Sequence, residues 1–224
     1  MEVLELHVDS IEKSFGDKKL LKDIFISCKT NEIIGILGRN GSGKSTLLEI
    51  IFGTISAENK FVRVGTKVIK TVSDNKNIIH YLAQNHFLPH HLKIKSIIDL
   101  LCDKKSAKML KSNPLIESFL EEKSRNLSGG EKRLIEILVM LFSDCNFLLL
   151  DEPFHSLSPI IIDKIKVLIK QQAKNKGIIL TDHQYQNVLE ISDQILLLKN
   201  GSTKVIHDLE DLKRNGYLRF YDSD

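Results

Sequence analysis

Eight consecutive residues, Gly38-Arg39-Asn40-Gly41-Ser42-Gly43-Lys44-Ser45, fit the pattern G-x-x-x-x-G-K-[ST]. That pattern suits a backbone that must wrap a phosphate. Glycines let successive N–H groups face inward, and a helix starting just beyond adds its partial positive charge. The apolar run Ile33–Leu37 precedes the loop and the helical-looking Thr46–Phe52 follows it. In that setting Lys44 is expected to reach the β- and γ-phosphates of a nucleotide, and Ser45 to ligate Mg²⁺. A guanine-reading Asn-Lys-x-Asp segment is a separate signal. Its nearest match, Asn175-Lys176-Gly177-Ile178, has Ile where the aspartate belongs, which disfavours GTP.

A second constellation is the pair Asp151-Glu152 at the end of Phe147–Leu150, with Pro153 stopping the strand. An aspartate there can hold Mg²⁺ opposite Ser45, directly or through water. The metal would neutralise the first carboxylate and leave Glu152 free as a base for the attacking water. In isolation such a pair would read as surface acids; beside a phosphate loop it reads as catalytic.

The elements that must position these groups are short, almost purely apolar runs: Ile33–Leu37, Ile78–Ala83, Phe147–Leu150, Ile178–Leu180 and Ile195–Leu198. Runs of this kind fit strands of a parallel sheet covered on both faces. Polar residues follow four of them: Gly38, Gln84, Asp151 with Glu152, and Thr181-Asp182-His183. Ligands of open α/β sheets bind beyond the carboxyl ends of the strands, so these residues are expected on one rim. Val3–Val8 and Phe25–Cys28 alternate and suggest a half-exposed antiparallel sheet. Asn200-Gly201 between Ile195–Leu198 and Thr203–Ile206 signals a hairpin. From about 85 to 144 the texture becomes helical, with Ile94–Leu101, Ala107–Leu110 and Leu134–Phe142 at helical spacing.

Composition sets the outer bounds. With 224 residues, 42% hydrophobic, 27% charged and a net charge of +3, the chain has the make-up of an ordinary globular domain. The charge is too small to argue for nucleic acid or an anionic membrane surface. Cys28, Cys102 and Cys145 form no CxxC pair and suggest reduced thiols. The start MEVLELHVDS does not read as a signal peptide, and no apolar run approaches the roughly 20 residues of a membrane helix. His90-His91 and the cluster Lys104, Lys105, Lys108, Lys111 read as solvated surface, and the tail through Tyr217–Asp224 as too short for a regulatory domain.

Between the phosphate loop and the carboxylate strand stands Leu127-Ser128-Gly129-Gly130-Glu131, by itself a serine-capped helix start. In that order, the segment resembles the signature motif of ATP-binding cassette (ABC) ATPases, and the resemblance covers essentially the whole chain. It implies one domain, 1–224, of the P-loop NTPase α/β class: a RecA-like core with an N-terminal antiparallel β-subdomain (about 1–84 and 145–224) and an inserted α-helical subdomain (about 85–144). It implies ATP and Mg²⁺ as ligands. Phe15, which alone would read as core, then matches the aromatic that stacks on adenine. Gln84 matches the glutamine that senses Mg²⁺ and the attacking water, and His183 the switch histidine at the γ-phosphate.

The nucleotide contacts so implied are Phe15, Gly38, Arg39, Asn40, Gly41, Ser42, Gly43, Lys44, Ser45 and Thr46, completed by Ser128, Gly129 and Gly130 of a second subunit. Glu152, His183, Lys44 and Gln84 carry the catalytic expectation, and Ser45, Gln84 and Asp151 the metal. The resemblance also implies a homodimer or a pair with another ABC subunit, driving a transmembrane permease on a separate chain. The location is then cytoplasmic, peripheral at the inner face of the membrane, with no insertion of its own and no nucleic acid. Soluble assembly work, such as iron–sulfur cluster biogenesis, is the alternative. Chromosome-type ABC ATPases need a long coiled coil between their nucleotide motifs; only about 80 residues separate Ser45 from Leu127. One departure stands out: where the family has aspartate before a proline in the loop after the carboxylates, this chain has Ser158-Pro159.

Overall fold

The computed structural model describes residues 3–218; positions 219–224 of the tail, like Met1 and Glu2, lie outside them. The alternating N-terminal residues form β1 (Glu5–Phe15), longer than Val3–Val8 suggested, followed by β2 (Lys18–Leu21) and β3 (Ile26–Lys29). After β4 (Ile33–Leu37) and α1 (Lys44–Phe52), the chain adds β5 (Asn59–Val64) and β6 (Lys67–Val68). β1 pairs antiparallel with β2, β3 and β5, and β6 extends β5. Leu6, Val8 and Ile11 of β1 are buried on the inner face, while the other face meets solvent.

The second sheet contains β4, β7 (Ile79–Leu82), β8 (Phe147–Asp151), β9 (Gly177–Thr181), β10 (Gln194–Lys199) and β11 (Ser202–Ile206). Its order is β11-β10-β4-β9-β8-β7, parallel except for the β10–β11 hairpin. The hairpin turn is Asn200-Gly201, both with positive φ.

Period-2 alternation explains why the central runs are apolar throughout. Leu148, Leu150, Ile178 and Leu180 enter one core; Phe147, Leu149 and Ile179 enter the other. The first core is covered by helices: α2 (Ile94–Leu101), α3 (Lys104–Lys111), α4 (Gly129–Phe142), α5 (Pro159–Ala173) and α6 (Tyr185–Ile191). Leu212 of the last helix, α7 (Leu209–Arg214), joins it. The second core is covered by α1 and the antiparallel sheet. Helices α2 to α4 all fall between β7 and β8. Cys28, Cys102 and Cys145 are free and buried.

Two helix starts matter for the site. Gly43 stands before α1 with φ 103°, a left-handed conformation that only glycine adopts at no steric cost. Ser128 caps α4: its hydroxyl accepts from Glu131 N, and the Glu131 carboxylate accepts from Ser128 N at 2.7 Å. That reciprocal pair satisfies N–H groups which a helix start leaves open.

Candidate functional site

Because β4, β7, β8 and β9 run parallel, their carboxyl ends deliver the phosphate loop, Gln84, Asp151-Glu152 and His183 to a single rim. A cleft of about 320 Å³ opens there, lined by Asn40, Gly41, Gly43–Thr46, Gln84, Glu152 and His183. Lys44 is buried, and its ammonium donates to Gly38 O at 2.8 Å. Desolvation lowers its pKa, against the pull of the Glu152, Asp151 and Asp182 carboxylates.

Gln84 joins the two halves of the rim: its amide donates to Ser45 Oγ at 3.2 Å and to Glu152 Oε1 at 2.8 Å. His183 Nε2 lies 2.6 Å from that same Glu152 oxygen. Glu152 has φ 48°, the left-handed region, held by hydrogen bonds at its own backbone: its N–H donates to Thr181 O, and its carbonyl accepts from Arg133. Such a conformation turns a side chain off the line of its strand and is stored where the surroundings over-determine it.

Asp151 is 1% exposed. Its Oδ1 accepts from the Thr181 hydroxyl at 2.8 Å and its Oδ2 from the Tyr81 hydroxyl at 3.2 Å. The carboxylate next to it and burial both push the Tyr81 phenol up, so Tyr81 stays a donor. Asp182 accepts from Phe154 N and Gln184 N, which fixes the loops on either side of His183.

Not every residue read from the sequence converges. Gly38, Ser42 and Asp151 stand behind the cleft rather than lining it. Arg39 turns away, donating to Gly216 O at 2.9 Å, and borders an adjoining cavity of about 750 Å³ with Lys18, Lys22, Ser42 and Lys199. Phe15 ends β1 and is 53% exposed, so the core reading of that residue is wrong; the Lys13 ammonium sits 5.1 Å from its ring centroid. Ser128, Gly129 and Gly130 do not line this cleft. Ser158 caps α5 through its carbonyl, with no side-chain cap bond. His90 and His91 are exposed, and among the described residues no three His, Cys, Asp or Glu side chains cluster as metal ligands.

Sequence reasoning missed Arg133, Glu136 and Tyr81. Arg133 is 2% exposed and donates to Ala83 O (2.6 Å), Asp151 O (2.5 Å) and Glu152 O (2.9 Å). The signal was available: two ionisable residues, three apart, inside an otherwise apolar helix must be paired if they are buried.

Comparison with known proteins gives concordant results. A family model described as "ABC transporter" matches residues 21–155. The chain is 28% identical over 230 residues to an uncharacterized ABC transporter ATP-binding protein of Methanocaldococcus jannaschii, covering 98% of this chain and 84% of that protein. It is 33% identical over 207 residues, 88% of its length, to ABC transporter A family member 11 of Dictyostelium discoideum, and spans 25% of that larger relative. A solved structure of the ATP-binding subunit of an ABC transporter superposes with TM-score 0.81 at 22% identity, covering 96% of this chain and 94% of the other. At that identity the superposition establishes the fold.

Proposed function

The chain belongs to the ABC transporter family of ATP-binding proteins, and from that membership we propose a motor that closes as a pair around two ATP molecules to drive a separate membrane permease. It is an ATPase; the residue roles, the pairing and the partner are our reading. The observation that carries the reading is Gln84, which bridges Ser45 of the phosphate loop and Glu152 of the carboxylate strand.

In this reading the backbone N–H groups of residues 40–46 and Lys44 hold the triphosphate, with α1 starting at the loop. Glu152 accepts the proton of the attacking water, and His183 and Gln84 orient that carboxylate through one shared oxygen. Phe15, exposed at the mouth of β1, offers a ring face to adenine. The donor set of one hydroxyl (Ser45), one amide (Gln84) and one carboxylate (Asp151) suits Mg²⁺ carried in on phosphates, a cation that seldom takes an all-protein cage. Bound there, Mg²⁺ would neutralise charge on the phosphate oxygens. Asp151, with both oxygens already accepting hydrogen bonds, would reach it through water.

The second subunit follows from geometry. Ser128–Gly130 present a helix start, a ready anion site, yet stand outside the chain's own cleft. A second copy can bring its Ser128–Gly130 to the ATP held here. No helix among the described residues is long and apolar enough to cross a membrane. The permease is therefore a separate chain, and this one attaches to it from the cytoplasmic side.

The test is light scattering of the Glu152→Gln chain with and without Mg²⁺–ATP. A species near twice 25.5 kDa with nucleotide, and near 25.5 kDa without, is expected. A monomer at saturating ATP sinks the pairing. Copurification of a multi-span protein from detergent-solubilised membranes is expected; soluble partners alone would return the reading to assembly work.

A further inference from the structure

Glu136 is an anomaly for which the proposed chemistry has no use. It lies in α4 with a side chain 0% exposed, a carboxylate in the middle of the apolar run Leu134–Phe142. A buried carboxylate persists only where its lone pairs are filled. Its Oε1 accepts from Phe87 N at 2.8 Å, and its Oε2 lies 2.9 Å from His86 Nδ1 and 3.8 Å from Arg133 Nη1. Three residues earlier on the same helix, Arg133 donates to Ala83 O. The helix thus grips the segment 83–87 at both ends, with Gln84 between the grips.

From this we infer that Glu136 is a positioning residue for Gln84, clamping the Gln84 loop to the helix that Ser128 opens, so that a displacement of the helix start is felt at the Ser45–Glu152 bridge. The inference rests on the proposed role of Gln84. No atom of Glu136 lines the nucleotide cleft, so its influence travels through backbone. A charged partner is favoured here over an apolar one because the loop end offers donors, Phe87 N and His86, that would otherwise be buried or idle. His86 itself is 42% exposed, so the clamp can be loosened at its rim without opening the core. Its Nε2 also lies closest to Gly129 among side chains, which brings the loop beside the signature turn.

The test uses the full chain and three substitutions, Glu136→Ala, Glu136→Gln and His86→Ala, each alone and combined with Gln84→Ala. Misplacing a catalytic group lowers kcat by about 10- to 100-fold without changing ground-state binding, so Glu136→Ala is expected to cut kcat by at least about tenfold and leave the KM for ATP within about twofold. Glu136→Gln, which keeps one acceptor for Phe87 N, should recover part of that loss. In the Gln84→Ala background the same changes should add nothing, because there is no longer a Gln84 to position.

Hydrogen exchange supplies a readout independent of turnover, and it carries the test if Glu136→Ala fails to fold. His86→Ala should speed exchange across residues 83–87 while the central strands stay protected. Losses that multiply on Gln84→Ala, a rise in KM instead of a fall in kcat, or unchanged exchange at 83–87 in His86→Ala would each overturn the clamp. Wild-type turnover in Gln84→Ala would remove the premise instead, a result distinct from a slow Gln84→Ala beside a normal Glu136→Ala.

Discussion

His183 Nε2 and Glu152 Oε1 are 2.6 Å apart, and the oxygen they share is also the acceptor for Gln84. One carboxylate oxygen is therefore held by two side chains from different strand ends, leaving Oε2 to face the cleft. Replacing Glu152 with Gln keeps a carbonyl for both partners but removes the base. Hydrolysis should slow by roughly 10²–10⁴, with ATP binding retained. Phosphate release and equilibrium ATP binding check the two halves; unchanged turnover would take the base role from Glu152.

Lys44 is buried among backbone carbonyls, and desolvation disfavours its charge. Lys44→Ala should therefore fold at least as stably as the parent chain. Its ATP affinity should fall by about 10- to 100-fold, the weight of a charge-assisted hydrogen bond or more. Thermal unfolding and nucleotide titration measure the two; normal affinity would contradict the phosphate-loop assignment.

Neighbouring glycines of the signature turn should behave differently. A Cβ on Gly130 would stand 2.7 Å from the Ser156 carbonyl oxygen, so the loop after Glu152 would have to shift. On Gly129 the nearest atom is His86 Nε2 at an ordinary 3.9 Å. Gly130→Ala is expected to cost about 1–3 kcal/mol, whereas Gly129→Ala, inside a helix, should be neutral or gain up to about 1 kcal/mol. Urea denaturation decides; equal effects would deny the close approach.

Burial raises the Asp182 carboxyl above its usual range, and hydrogen bonds from Gln184 N and Phe154 N only partly oppose it. The folded chain then holds that proton more tightly than the unfolded one. The contribution to stability is full below the unfolded value and is lost as pH rises through the folded value. The stability of the parent chain relative to Asp182→Asn should thus fall as pH climbs from about 4 toward neutrality. Melting temperatures of the pair across that range test the sign, and a difference that widens with pH would refute it.

How much was legible depended on which signal each residue carried. The central strands announced themselves because both faces are covered, and Ile33–Leu37 is apolar end to end in β4 as expected. Strands β2, β5 and β6 carried no such signal: Asn59–Val64 reads NKFVRV, with Val62 and Val64 its two buried residues, and β6 is two residues long. Helix α5 was readable and unread, its buried Ile162, Ile165 and Ile169 falling at helical spacing behind the loop that drew attention to Ser158. The phosphate loop, Gln84, Glu152 and His183 were found because polar residues directly after buried strands have nowhere to go but the rim. Arg133 and Glu136 were not, since a helical pattern says which face is buried but not that a charge has been paired there.

The left-handed backbone at Glu152 has a further consequence. A non-glycine residue in that region gives up about 1–2 kcal/mol, so a glycine would sit there more comfortably. Glu152→Gly should unfold no more easily than the parent while losing hydrolysis. At this position robustness and work pull in opposite directions, and a screen for thermal resilience alone would drift toward inert chains.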